Sequence, residues 1–216
     1  MKIIFLHGLG QVPNSWQKIQ QQLKTHTSNI SMEAWNLFQD LDRKKEITIQ
    51  TLHETLTEKL ALEDEPYLLC GLSLGGLLSL LSAATRPRQL QGVILASVSY
   101  QAPNKLNMFL IRQLMRCLPK KQFKELNITK KELITIQSSL ATIQLTEQQL
   151  TEIQTPSLII CGTRDKMNLA SAKRLAQQLP NSRLELIEDG NHELNIEKPE
   201  IFGSLIQSFL KEIYFI

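Results

Sequence analysis

The chain is poor in cysteine: three residues, Cys70, Cys117 and Cys161, with no Cys-x-x-Cys spacing and an odd thiol left over. That excludes a disulfide framework and points to a reducing, cytoplasmic compartment. Cys70 and Cys161 close the apolar runs YLLC and SLIIC and read as small buried hydrophobes. Glycine and proline are also few, nine and eight residues, which with an ordinary apolar fraction argues against a disordered chain. No stretch reaches the roughly 18 consecutive apolar residues of a membrane helix. The short apolar run in MKIIFLHGLG has no small-residue cleavage site behind it, so neither a membrane span nor a signal peptide is expected. Charge of one sign is lacking as well. Lys and Arg number 24 against 21 Asp and Glu, and a net +3 with no basic, aromatic-studded cluster argues against nucleic acid as a partner. There is no HExxH, no spaced Cys/His set, no GxGxxG after the first apolar run and no Walker loop, so no metal and no cofactor is expected.

What is present suits one α/β domain: 216 residues, 42% of them hydrophobic, enough for a core that buries roughly 70% of the unfolded surface. Strands are expected at Lys2–Leu6, Ser31–Asn36, Tyr67–Cys70, Gly92–Val98, Ser157–Cys161 and Leu184–Ile187. Four of them are near-continuous apolar runs, the pattern of strands covered on both faces; SMEAWNLF fits it poorly. Helices are expected at Trp16–Lys24, with Asn14 and Ser15 as caps, and at Ile47–Leu60, Leu74–Thr85, Leu169–Leu179 and from Pro199 to about Ile213. Such alternation means crossover connections and a parallel sheet.

The chemistry concentrates in Tyr67-Leu-Leu-Cys-Gly-Leu-Ser-Leu-Gly-Gly, where a buried strand runs into Gly71-Leu-Ser73-Leu-Gly75 and an apolar helix follows at once. A Ser at a sharp strand-to-helix turn needs small residues two before and two after it. The helix start behind it favours developing negative charge. Ser73 is therefore the candidate nucleophile, and it needs a base oriented by an acid. Of the four histidines, His26 sits in a polar loop and His53 in a helical run, and both are expected at the surface. His7 closes the first strand, and His192 lies in Asp189-Gly-Asn-His192 between the last strand and the last helix. Asp165 follows a buried strand and a Gly turn. Its rival Asp189 is three residues from His192 and is expected to shape that loop by bonding to backbone. Chain order then gives Ser73, Asp165, His192. Trp16 and Trp35 read as core or cleft-wall residues.

These residues resemble the α/β-hydrolase fold superfamily, on His7-Gly8, Gly71-Leu-Ser73-Leu-Gly75, Gly162-Thr-Arg-Asp165, Gly190-Asn-His192 and Glu197-Lys-Pro199-Glu. Among its members the chain is most similar to small cap-bearing His-Gly-x-Gly carboxylesterases, such as the pimeloyl carrier-protein methyl ester esterases, and also to the menaquinone-pathway lyases. The resemblance implies an oxyanion hole made by the backbone N–H groups of Leu9 and Leu74, with His7 shaping its loop rather than acting as a base. The chain departs from the superfamily's pattern in starting at the His-Gly strand, so its usual first two strands are expected to be absent, leaving about six strands, all parallel. The expected activity is hydrolysis of a carboxylic ester or thioester through an acyl-enzyme. The alternatives are a lyase using the same base, or a binding protein on a hydrolase scaffold.

One interval breaks the alternation. Residues 103–154 contain no convincing strand and correspond to a short helical cap inserted in the single domain 1–216. Met108, Phe109, Leu114 and Met115 are expected to face the acyl site. The interval holds eight basic side chains, among them Lys120, Lys121 and Lys124, against four acidic ones. That excess suits either an acidic carrier protein as partner or an ordinary solvated face.

Overall fold

The computed structural model describes residues 1–25, 30–101, 124–143 and 145–214. Its strands are β1 (Lys2–Leu6), β2 (Ser31–Trp35), β3 (Tyr67–Leu72), β4 (Leu90–Ala96), β5 (Ser157–Gly162) and β6 (Ser182–Ile187). The helices are α1 (Gln17–Lys24), α2 (Ile49–Leu60), α3 (Leu74–Ala84), α4 (Lys130–Ser139), α5 (Glu147–Thr151), α6 (Leu169–Gln178), α7 (Leu194–Glu197) and α8 (Pro199–Tyr214). The strands form one six-stranded sheet in the order β2-β1-β3-β4-β5-β6, and every pairing is parallel.

Burial follows from that order. The four apolar strands β1, β3, β4 and β5 are central and almost wholly buried. The polar β2 and β6 are the two edges, each paired on one side only. This explains why SMEAWNLF lacked the buried pattern: an edge strand keeps solvent-facing positions.

Strand alternation splits the core into two layers. Ile4, Leu6, Leu69, Val93, Leu95, Ile159 and Cys161 face α2, α3 and α6. Ile3, Phe5, Leu68, Cys70, Ile94, Leu158 and Ile160 face α1 and α8. Trp16 is a core residue, packed between Phe5 and Phe202 with ring centroids 5.2 and 5.6 Å away. Trp35 is also buried, under the Lys59 ammonium.

Three local expectations are corrected. Asn14 and Ser15 do not cap α1; they lie in a 3₁₀ turn, Pro13–Trp16, and Trp16 itself precedes the helix without a side-chain cap. Helix α2 begins at Ile49, because the Thr48 hydroxyl accepts from Thr51 N–H and the Thr51 side chain returns the bond, a reciprocal cap. His53 is half-buried rather than at the surface; its shielded Nε2 has no partner, and burial lowers its pKa.

The described part of the 103–154 interval is helical. α4 is capped by Thr129 and Glu132, and Leu126, Ile128, Ile136, Leu150 and Ile153 join the core on the α2–α3 side. Arg43, from the connection after β2, holds this segment through Glu132 and the backbone carbonyl of Asn127. Lys124, Lys130 and Lys131 are exposed. Residues 102–123, with Met108, Phe109, Leu114, Met115, Lys120 and Lys121, lie outside the described residues, as do His26 and Cys117.

Candidate active site

Ser73 sits between the last residue of β3 and the first of α3, with φ 53 and ψ −110. A side-chain-bearing residue holds such a backbone only where its surroundings impose it. Here they do. Its N–H donates to the Ala96 carbonyl (2.8 Å) and its carbonyl accepts from Leu77 N–H (2.8 Å), so the turn is tied to the neighbouring strand and the helix it opens. The chain doubles back so closely that a β-carbon on Gly71 would lie 2.3 Å from the Gly75 carbonyl carbon, and one on Gly75 2.2 Å from the Leu6 carbonyl oxygen. Glycine is required at both positions. Ser73 is only half-buried, although its neighbours Leu72 and Leu74 are buried.

The loop after β1 lies against this turn: a β-carbon on Gly8 would be 3.6 Å from Ser73 Cβ. Residues 8–11 form a tight turn in which Gln11 N–H donates to the Gly8 carbonyl (3.0 Å) and Gly10 takes φ 92. Among the described residues, neither Leu9 N–H nor Leu74 N–H is engaged in a hydrogen bond. His7, fully buried, donates from Nδ1 to the Gly8 carbonyl (2.9 Å) and accepts at Nε2 from Leu37 N–H (3.2 Å). Both ring nitrogens are occupied as those of a neutral imidazole, and burial lowers its pKa to about 4. It braces the loop.

Asp165 and His192 meet on the loops that follow β5 and β6 at the carboxyl edge of the sheet. The loops after β5 and β6 are joined by Thr163 N–H to the Ile187 carbonyl (3.0 Å) and Arg164 N–H to the Gly190 carbonyl (2.9 Å). Glu197 accepts from the Asn191 backbone and side chain (3.1 and 3.0 Å). These contacts place His192 Nδ1 2.9 Å from Asp165 Oδ2. A carboxylate only accepts, so Nδ1 carries the proton and the Nε2 lone pair is left as the basic site. Neither His192 Nε2 nor Ser73 Oγ has a hydrogen-bond partner among the described residues. Asp189 is elsewhere: it forms an exposed ion pair with Arg164 (2.6 Å). Its expected bonding to backbone is replaced by this charge pairing.

Four further residues support the cluster and were not singled out in the sequence. Asn168 Nδ2 donates to both Asp165 carboxylate oxygens, each at 2.9 Å. Gln11 and Asn195 pair across the loops after β1 and β6. Ser97, buried at the end of β4, lies beside Asp165. Burial works to raise the Asp165 pKa, but the hydrogen bond and charge of His192, then the Asn168 amide, hold it below the ordinary carboxylate range. The only signal for Asn168 was its place three residues after Asp165 and just before a helix, where an Asn ordinarily reads as a cap.

Cys161, close behind Asp165, is pushed up to about 12 by burial and by that carboxylate, and is no nucleophile. Among the described residues no His, Cys, Asp and Glu side chains are grouped as a metal would require, and no helix is long and apolar enough to cross a membrane. A polar cavity of about 70 Å³ beside α2, lined by Asp40, Asp42, Glu54 and Glu58, shares no residue with the Ser73, Asp165 and His192 set.

Known proteins agree with this architecture. A carboxylesterase of the ammonia-oxidizing thaumarchaeon Nitrososphaera gargenis superposes with a TM-score of 0.81, at 18% identity, over 98% of this chain and 90% of that one. MenH from S. aureus gives 0.79 at 20% identity, over 98% and 94%. The fold is the α/β-hydrolase fold. A protein of Bacillus subtilis (strain 168) named "Putative 2-succinyl-6-hydroxy-2,4-cyclohexadiene-1-carboxylate synthase" is 36% identical over 62 residues, 29% of this chain and 23% of that protein. The matched segments span 20% to 40% of the curated relatives' own lengths. The family model described as "Uncharacterised protein family (UPF0227)" matches residues 2–202.

Proposed function

The chain belongs to the uncharacterised protein family UPF0227, and we propose that it is a serine hydrolase cleaving a small carboxylic ester or thioester. Ser73 Oγ attacks the acyl carbonyl while His192 Nε2 takes its proton. Asp165 keeps the imidazole in the Nδ1–H form and stabilises it once it is charged. Leu9 and Leu74 N–H receive the oxyanion, helped by the N-terminal end of α3. The proton on His192 then passes to the leaving group, and water releases the acyl group by the same steps in reverse.

The observation that supports this reading most is the Ser73 backbone, with φ 53 held at the head of a buried helix. A strained residue that presents a hydroxyl at the carboxyl edge of a parallel sheet has little structural reason to be there. The Asp165–His192 pair, on the loops after β5 and β6, offers the base that such a hydroxyl needs. The names of the similar proteins agree with hydrolysis at the level of reaction class.

A second reading is a lyase in which His192 abstracts a carbon-bound proton and no acyl-enzyme forms. The likeness to a synthase-named relative favours it. Pre-steady-state kinetics separate the two. With p-nitrophenyl esters, whose good leaving group makes acylation fast, the hydrolase reading expects a burst of p-nitrophenol approaching one per chain where deacylation is the slower step, and an acyl mass increment on Ser73 in quenched samples. A lyase gives neither.

A further inference from the structure

Two buried amides join the loops that carry the two halves of the site. Gln11 Nε2 lies 3.2 Å from Asn195 Oδ1, and Asn195 Nδ2 lies 3.1 Å from Gln11 Oε1, a reciprocal pair between residues 184 positions apart. Gln11 Nε2 also donates to Glu193 Oε1 (2.9 Å), and Gln11 Oε1 accepts from Gly8 N–H (3.4 Å). Asn195 Nδ2 reaches the Ser15 carbonyl as well (3.4 Å). Gln11 is 6% and Asn195 1% exposed, so water does not compete for these groups.

The placement has a consequence for geometry. Gln11 is the last residue of the turn whose second residue is Leu9. Asn195 is three residues after His192, and Glu193 one after. We infer that Gln11 and Asn195 are positioning residues that fix the Leu9 N–H donor relative to the His192 base. This rests on the hydrolase reading above. Acyl transfer needs the oxyanion donor and the base held in fixed geometry about the same reacting carbon, and these two groups stand on loops 183 positions apart in the chain, so a direct connection between the loops must hold them together. The amide pair supplies that connection. A substrate in its ground state does not yet carry the oxyanion, so loosening the pair weakens transition-state contacts and leaves initial binding alone.

The test uses the full chain with p-nitrophenyl butyrate as substrate and butylboronic acid as a mimic of the tetrahedral intermediate. Gln11→Leu and Asn195→Leu are each expected to lower kcat by about 10- to 100-fold with KM within about twofold, and to weaken boronate inhibition in parallel. Gln11→Asn and Asn195→Gln each misfit singly, whereas the double exchange keeps the summed length of the pair and should restore kcat to within about threefold. If the Leu variants do not fold, this exchange series carries the test. A purely structural pair would lower the melting temperature with kcat unchanged in the folded fraction, and that result overturns the inference. So does a double exchange no better than the singles. Wild-type protein that neither releases p-nitrophenol nor reacts with a fluorophosphonate overturns the hydrolase reading itself and the inference with it.

Discussion

The Asn168 amide nitrogen lies 2.9 Å from each carboxylate oxygen of Asp165, and 3.1 Å from His192 Nδ1. Two donors that close do not bond to each other; both converge on the carboxylate. Asn168 therefore fixes the plane of Asp165 and leaves Oδ2 aimed at the imidazole.

Replacing Asn168 by Leu removes that orientation and keeps the volume. A hydrogen bond to a charged group contributes about 1.5–3 kcal/mol, so kcat should fall about 10- to 100-fold on a small ester, with KM little changed. Steady-state kinetics give the answer directly. An unchanged kcat would mean that Asp165 is held by His192 and its own turn alone.

Asp165→Asn should cost about 10⁴ in kcat, as an amide at that position favours the wrong imidazole tautomer. Asp189→Asn should stay within a few-fold, because it only opens an exposed ion pair with Arg164. The reverse ranking in the same assay would move the orienting role to Asp189.

His7 gives a pH signature in stability. Its folded pKa is about 4 against 6.5 for an ordinary imidazole, through burial. Below pH 6.5 the unfolded chain takes up a proton that the folded chain refuses. The stabilisation is fully present above 6.5 and is lost progressively as pH falls toward 4, roughly 3 kcal/mol in all. Urea unfolding at pH 7.5 and 4.5 should show a smaller difference in His7→Gln than in wild type. Equal differences would mean that His7 is not the group that titrates.

Gly75→Ala should cost about 3–5 kcal/mol, since the new methyl group meets the rigid Leu6 carbonyl at 2.2 Å. Gly8→Ala meets only the end of the Leu72 side chain at 3.3 Å, which can give way, and about 1 kcal/mol is expected. Denaturant midpoints rank the two, and equal costs would show that the elbow can relax.

The sequence carried the fold well where burial is two-sided. The central strands β1, β3, β4 and β5 are apolar because both faces are covered, and the Gly71-Leu-Ser73-Leu-Gly75 spacing states a steric demand that the structure makes visible at Gly75. β2 was harder, since an edge strand has a one-sided pattern that resembles a loop. Ser73, Asp165 and His192 stand out in the sequence as candidates because each follows a strand at a turn. Asn168, Gln11 and Asn195 do not. Their roles arise from contacts between loops distant in sequence, and each has an ordinary local explanation as a cap or polar loop residue. Asn168 does precede α6, but its side chain is turned to Asp165 and not to the helix backbone.

The most direct measurement is the site of covalent labelling by a fluorophosphonate, read by peptide mass spectrometry beside ester turnover. One adduct is expected, on Ser73, with loss of both adduct and turnover in Ser73→Ala, a fall on the order of 10⁶ by comparison with a serine protease nucleophile. Labelling at another residue, or turnover that survives in Ser73→Ala, would contradict this.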